Sequence, residues 1–336
     1  MIIETQSYPR AALIGNPSDG YFGKTIAFVF RNFSAHVQLY HTPKLEIKPE
    51  ELDIPVYDSM ADLVNGIRLN GYYGGVRLIK ATIKTFYKYC QRENIKLSGR
   101  NFTISYRSNI PLRLGLAGSS AIITAVMKAL MRFYKVEIFN PILANLILSV
   151  ETEQLGISAG LQDRVAQVYE QPVFMNFDKR LMNTRGYGEY TPVNASKLPP
   201  LYIAFRCDQS QGSEVTHNNL RARFNIGEQK VHDAMRVWAG LAESFKEAMG
   251  NDDLYRIHDL INQNYDLRES LVEITEENKQ MIRLARSTGA SAKFTGSGGA
   301  IIGTYVDEKQ FVALQKIFAD EEIEVIKPDI VFNNFK

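Results

Sequence analysis

Apolar and polar positions change period along the chain, and the changes mark out its elements. Residues 2–6 and 11–14 read as short strands, separated by Tyr8-Pro9-Arg10. A turn-rich cluster follows, Gly15-Asn-Pro-Ser-Asp-Gly20. Residues 25–40 are rich in β-branched and aromatic side chains and alternate at 35–40, which predicts a long strand or a hairpin arm. Residues 45–48 alternate too. A helix is expected from 71–75 to about 89, and a strand over 101–106. Helical spacing covers 119–133, and Asn140-Pro141 starts another helix running to about 154. Strands are expected at 173–177 and 187–193. The Pro pair in Lys197-Leu-Pro-Pro200 marks a boundary before a fresh strand at 201–205. Two domains, 1–197 and 198–336, are therefore expected. Beyond the boundary, helix periodicity covers 213–223, 228–249, 252–270 and 275–288. Strands at 291–295 and 300–305, a helix over 307–318 and a strand at 323–326 close the chain. Strands first and helices gathered late predict an α+β protein with two lobes.

Composition narrows the class of function. The 336 residues are 45% hydrophobic and 23% charged, which are globular values. The net charge of +2 carries no nucleic-acid footprint. No apolar run is long enough to span a bilayer, and the first residues lack the pattern of a signal peptide. Cys90 and Cys207 lie far apart and form no CxxC pattern, as expected of thiols in a reducing, cytoplasmic setting. The five histidines show no metal-ligand spacing.

Three glycine clusters carry the candidate chemistry. Pro111-Leu-Arg-Leu-Gly-Leu-Ala-Gly-Ser-Ser-Ala121 runs straight into a helical apolar pattern. A Gly-rich loop entering a helix makes an anion site, because the first helical N–H groups have no internal partner. Read alone, the stretch fits a Ser-capped helix after a Gly turn equally well. Gly296-Ser-Gly-Gly299 has more glycine than a tight hairpin needs, which points to close backbone approach to a ligand. Gly23-Lys24-Thr25 imitates the end of a P-loop. That motif fails because its first glycine would fall at Ser18 and a strand, not a helix, follows. Glu151 and Asp163 are carboxylates among apolar neighbours (Leu148, Val150, Leu161, Val165). At a core edge such groups need a metal or a cation. Arg10 drops at once into an apolar strand, which suggests a pinned side chain.

With these segments in view, the chain resembles the GHMP small-molecule kinases over nearly its whole length. Their first motif corresponds to Arg10-Ala-Ala-Leu-Ile-Gly-Asn-Pro-Ser-Asp19. Their second, Pro-x-x-x-Gly-Leu-(Gly/Ser)-Ser-Ser-Ala, corresponds to Pro111–Ala121 with one extra residue before the serine pair. Their third corresponds to Ala292–Gly299. Within the family, residues 15–26, 115–121, 213–224 and 293–300 look most like those of plant-type glucuronokinases.

The resemblance implies an α+β, two-lobed fold with a left-handed βαβ nucleotide-binding unit. It makes 1–197 the ATP-binding domain and 198–336 the C-terminal kinase domain. It implies ATP and Mg2+ as cofactors, with the phosphates cradled by Pro111, Gly115, Leu116, Ala117, Gly118, Ser119, Ser120 and Ala121. Glu151 matches the metal carboxylate, and either Ser119 or Ser120 shares the metal. Asp163 matches the aspartate facing the substrate hydroxyl, and Arg10 the basic residue that steadies it. Asn16, Ser18, Asp19 and Tyr21, with Gly296, Ser297, Gly298 and Gly299, fall on the substrate side. The implied reaction is phosphorylation of a sugar acid at its anomeric hydroxyl, with D-glucuronate favoured. Galacturonate, arabinose, heptose phosphate and mevalonate are the alternatives, as is a silent sugar- or nucleotide-binding member. Lys24, Arg113 and Arg185 are the candidate cations for a substrate carboxylate. A small-molecule partner, no nucleic acid, no membrane, and a monomer or homodimer complete the expectations.

Overall fold

The computed structural model describes residues 2–50, 74–112, 114–206 and 215–332. In chain order the elements begin with β1 (Ile2–Ser7), β2 (Arg10–Ile14), β3 (Lys24–Val29), β4 (Ala35–Thr42) and β5 (Glu46–Ile47). Next come α1 (Gly75–Arg92), β6 (Asn101–Ser108), α2 (Gly118–Tyr134), α3 (Asn140–Ser149) and α4 (Gln162–Tyr169). They are followed by β7 (Val173–Asn176), α5 (Lys179–Arg185), β8 (Glu189–Pro192), β9 (Leu201–Arg206) and α6 (Val215–Asn225). The chain ends with α7 (Gln229–Gly250), α8 (Leu254–Glu269), α9 (Glu276–Ser287), β10 (Lys293–Phe294), β11 (Ala300–Thr304), α10 (Glu308–Ala319) and β12 (Ile323–Ile326).

The chain divides into two compact, discontinuous units. The first gathers Met1–Pro9, Phe33–Ile110 and Ala117–Val168. It holds a four-stranded sheet in the order β1-β4-β6-β5. β5 and β6 are parallel, with Glu46 opposite Thr103, and α1 lies between them in sequence, so they form a βαβ connection. β1 alternates strictly, burying Ile3, Thr5 and Ser7 on one face, and the Thr5 hydroxyl donates to Ala125 O of α2 at 2.7 Å. α2 is buried nearly all round from Ser120 to Leu130, as expected of a helix that crosses a core. α1 buries the stripe Leu78, Ile79, Thr82, Phe86 and Cys90. α3 opens with Pro141 in its first turn and passes into a π-helical turn, Val150–Gln154.

The second unit gathers Arg10–Asn32, Pro111–Leu116 and Tyr169–Lys336. It holds two four-stranded sheets, β2-β3-β7-β8 and β10-β11-β9-β12. β2 and β11 are buried at every position, the mark of a strand covered on both faces. The register of β2 against β3 shifts between Ala12 and Ile14, a bulge within the first motif. The β10-β11-β9-β12 sheet packs Tyr202, Ala204, Phe294, Ile301 and Val325 against Met281, Ala285, Leu314 and Phe318.

Most elements fall where the periodicity placed them, with one correction. Residues 25–40 are neither one strand nor a hairpin. β3 pairs with β2 and β7, whereas β4 pairs with β1 and β6. The polar step Arg31-Asn32 breaks the apolar run. Asn32 is tied there by its own bonds, donating to Lys327 O at 3.0 Å and accepting from Asp329 N–H at 2.8 Å. The expected start of α1 at residues 71–73, the start of α6 at 213–214, and both Cys207 and Arg113 lie outside the described residues. Among the described residues no helix is long and apolar enough to cross a membrane.

Candidate active site

In the first unit the two carboxylates singled out from the sequence converge on one guanidinium. Arg164 donates from Nε to Glu151 Oε2 at 2.9 Å, and its Nη2 meets the same oxygen. Its Nη1 donates to Asp163 Oδ2 at 2.9 Å and to Gly160 O at 2.8 Å. Arg164 and Glu151 are 4% and 3% exposed, whereas Asp163 is 18% exposed, so Asp163 alone reaches outward. The local chain explains this. The π turn at Val150–Gln154 turns Glu151 inward, and α4 starts one residue before Asp163. Both Arg164 nitrogens meet Glu151 at Oε2.

The start of α2 lies in the same unit. Ala117 adopts a left-handed φ of 62° just before the helix. Its carbonyl accepts from Ala121 N–H at 3.1 Å, from the Ser120 hydroxyl at 3.1 Å and from Gln167 Nε2 at 3.0 Å. The carbonyl is thus fixed, and the N–H groups of Gly118, Ser119 and Ser120 open the helix with its positive end. Ser120 is wholly buried with its hydroxyl turned to Ala117, as is Ala121, whereas Ser119 is half-buried.

In the second unit, Gly115 and the 296–299 loop meet backbone to backbone. A Cβ on Gly296 would sit 2.4 Å from Gly115 O, and one on Gly115 would sit 2.9 Å from Ser297 N. Gly115 also has φ +65°, and Gly298 and Gly299 have φ +147° and +77°. The approach expected of the third cluster is to a ligand; the close approach seen is to the backbone of the second motif at Gly115. Arg10 ties the group together. Its N–H donates to Leu116 O at 3.0 Å, and its guanidinium donates to Gly115 O at 3.3 Å and to Thr295 O. It is 4% exposed, a pinned position as its sequence context implied. Leu116 is buried and Pro111 half-buried.

Two further buried cations were not singled out from the sequence: Arg268 holds this loop, and Lys293 ties the strand before it to β2. Arg268 of α8 donates to Gly296 O at 2.8 Å and Ser297 O at 3.0 Å, and burial pushes its guanidinium down to about 10. Lys293 donates to Ala12 O at 2.7 Å and Phe294 O at 2.8 Å. Burial, with Arg268 and Arg10 nearby, holds its ammonium well below the usual lysine range. Asn264, one turn before Arg268, accepts from Gly15 N–H at 2.7 Å and donates to Asn16 O at 3.0 Å. The i, i+4 spacing of Asn264 and Arg268 on a helix with an apolar face was the available signal. For Arg164 it was an arginine flanked by Asp163 and the apolar Val165.

The first motif divides by burial. Ser18 accepts from Lys24 N–H and donates to Lys24 O at 3.0 Å, closing its own turn. Asn16 is 4% exposed and reaches toward Phe294 O at 3.5 Å. Asp19 stays half-buried. Burial raises the pKa of the Tyr21 phenol, which Arg221 lowers and Asp19 raises.

Comparison with known proteins places the chain in a family. Residues 77–171 match the GHMP kinases N terminal domain, and residues 243–320 match the GHMP kinases C terminal domain. Glucuronokinase 1 of Arabidopsis thaliana is 42% identical over 89% of this chain and 84% of its own length. The chain belongs to the GHMP kinase family. A second Arabidopsis thaliana relative of this GHMP kinase, probable glucuronokinase 2, is 43% identical over 90% of the chain and 84% of its own length. Among solved folds, Lactococcus lactis galactokinase complexed with galactose superposes with a TM-score of 0.77 at 14% identity, covering 98% of this chain and 94% of its own.

Proposed function

We propose that this GHMP kinase transfers the γ-phosphoryl group of ATP to the anomeric hydroxyl of D-glucuronate, giving the 1-phosphate. The observation that carries the reading is the Glu151–Arg164–Asp163 constellation, one carboxylate sealed and the other facing outward. The glucuronokinase relatives supply the substrate. The residues fit the implied cofactors. The helix start of α2, where the first N–H groups have no intrahelical acceptor, suits phosphate oxygens. Ser119 and Glu151 supply hard oxygen donors, which suit Mg2+. Among the described residues no three His, Cys, Asp or Glu gather, and Mg2+ with nucleotide needs none, since phosphates and water fill its shell. When bound, Mg2+ neutralises charge on the transferring phosphates.

The chain's own residues do the rest. The sugar oxygen forms a bond to the γ-phosphorus while the bond to the β-bridging oxygen breaks and ADP leaves. Asp163 accepts the hydrogen bond of the attacking hydroxyl, orients it and takes up its proton as the bond to phosphorus forms. Arg164 keeps the two carboxylates apart in role by binding both. Arg10 places a fixed positive charge beside the second and third motifs, where it stabilises the moving phosphoryl. Asp19 accepts from sugar hydroxyls. The same reading places a monomer or homodimer in the cytoplasm.

Asp163→Asn tests it. The variant is expected to lose about 10²-fold or more in kcat, the scale of a positioned acid–base group, with ATP affinity nearly unchanged. Loss of ATP affinity with kcat intact would reassign the residue.

A further inference from the structure

A substrate carboxylate needs a cation held ready for it, and three were foreseen: Lys24, Arg113 and Arg185. Lys24 is engaged, because its ammonium forms an ion pair with Glu243. Arg113 lies outside the described residues. Arg185 is an exposed residue in the last turn of α5. A fourth cation stands in a better place.

Arg221 projects from α6 onto the first motif. Its Nη1 donates to Gly20 O at 2.7 Å. Its guanidinium lies over the Tyr21 ring, 4.3 Å from the centroid. That ring packs on Phe224, one turn along the same helix, with centroids 4.8 Å apart, and Phe224 stacks on His232 of α7 at 4.1 Å. Arg221 thus has its plane fixed by an aromatic face and one N–H fixed by a carbonyl. It is nevertheless exposed, and it makes no ion pair with any carboxylate among the described residues. Its neighbour Arg223 is committed to Glu228 at 2.7 Å and to Leu271 O. Gly20 leaves room for the guanidinium, since a Cβ there would come within 2.9 Å of Nη2.

We infer that Arg221 is the specificity-determining residue that pairs the carboxylate of a sugar-acid substrate. The inference rests on the sugar-acid reading given above. With Nη1 turned to Gly20, the Nε–Nη2 edge offers two parallel N–H donors, the geometry that matches a carboxylate. The Tyr21 ring holds the fork in place before binding, so little side-chain freedom is lost when the substrate arrives. Asp19, close enough to Tyr21 to raise its pKa, supplies an acceptor for hydroxyls beside the donor for the carboxylate. One acidic and one basic group side by side suit a ligand that carries both functions.

The test is steady-state kinetics of the full chain with ATP and D-glucuronate for wild type, Arg221→Met, Arg221→Lys, Lys24→Met and Arg185→Met. Arg221→Met is expected to raise KM for glucuronate about 30-fold or more, the scale of losing a bidentate charge-assisted pair. KM for ATP and kcat should stay within about threefold. Arg221→Lys keeps the charge and loses the fork, so its KM should fall between wild type and Met. Lys24→Met and Arg185→Met should leave KM for glucuronate unchanged. An unaltered KM in Arg221→Met, or equal losses for glucuronate and ATP, would overturn the assignment while leaving the kinase reading intact. A wild-type enzyme that does not phosphorylate glucuronate would overturn the substrate reading and this inference with it.

Discussion

Replacing Arg164 with Met should strip the candidate site of its organising charge. Methionine keeps most of the length and the apolar stem, so packing changes little. What disappears is the set of bonds to Glu151 Oε2, Asp163 Oδ2 and Gly160 O. Glu151, 3% exposed, would then hold its charge without a partner. Removing one member of a buried pair costs about 3–5 kcal/mol, most of it the desolvation of the charge left behind. Asp163, 18% exposed, can turn to water and adds little. Equilibrium urea unfolding followed by circular dichroism reads the loss. Arg164→Met together with Glu151→Gln should be more stable than Arg164→Met alone by at least about 1–2 kcal/mol, because the orphaned charge is gone. Activity should stay low in both, since Asp163 loses its guide. An Arg164→Met protein within about 0.5 kcal/mol of wild type, or a double variant that is the less stable of the two, would refute the reasoning.

Two further outcomes follow from single positions. Gly296→Ala puts a methyl 2.4 Å from Gly115 O, so backbone must move; about 1–3 kcal/mol of stability and most of the activity should be lost in thermal melts and ADP-release assays. Gly240→Ala, with nothing within 4 Å, is the control and should be neutral or slightly stabilising. Burial holds the His258 imidazole below its ordinary 6.5, with Asp259 opposing and Arg286 assisting. The unfolded chain therefore takes up a proton as pH drops below 6.5 while the folded chain still resists. Stability present above that value is lost as pH falls through the folded pKa. Melting temperatures from pH 7.5 to 5.5 should decline less steeply in His258→Asn.

The local elements were legible because each buries a stripe or an alternating face that the sequence repeats. β1 shows this with Ile3, Thr5 and Ser7, and α1 with Leu78, Ile79, Thr82 and Phe86. The glycine loops were legible for a different reason: steric exclusion leaves few substitutes where Gly296 abuts Gly115. Long-range pairing was not legible. Nothing in residues 25–40 says that β3 and β4 join different sheets. Arg164, Asn264, Arg268 and Arg221 escaped for the same reason, since each acts on a segment distant in sequence or, for Arg164, on a carboxylate turned inward by a π turn. Burial tells the two serines apart where spacing did not: the Ser120 hydroxyl is sealed against Ala117 O, and Ser119 is half-buried.

The central claim is most directly tested by the product itself. The purified chain, with ATP and Mg2+, is offered D-glucuronate, D-galacturonate, L-arabinose, D-glucose, D-galactose and mevalonate at matched concentrations, and products are read by phosphorus NMR. The account predicts a phosphate on the anomeric oxygen of glucuronate, with kcat/KM above that for glucose and galactose by about 10²-fold, the scale of a charge-assisted pair that a neutral sugar cannot make. A neutral sugar or mevalonate used as well as glucuronate, or a phosphate on any other oxygen, would contradict it.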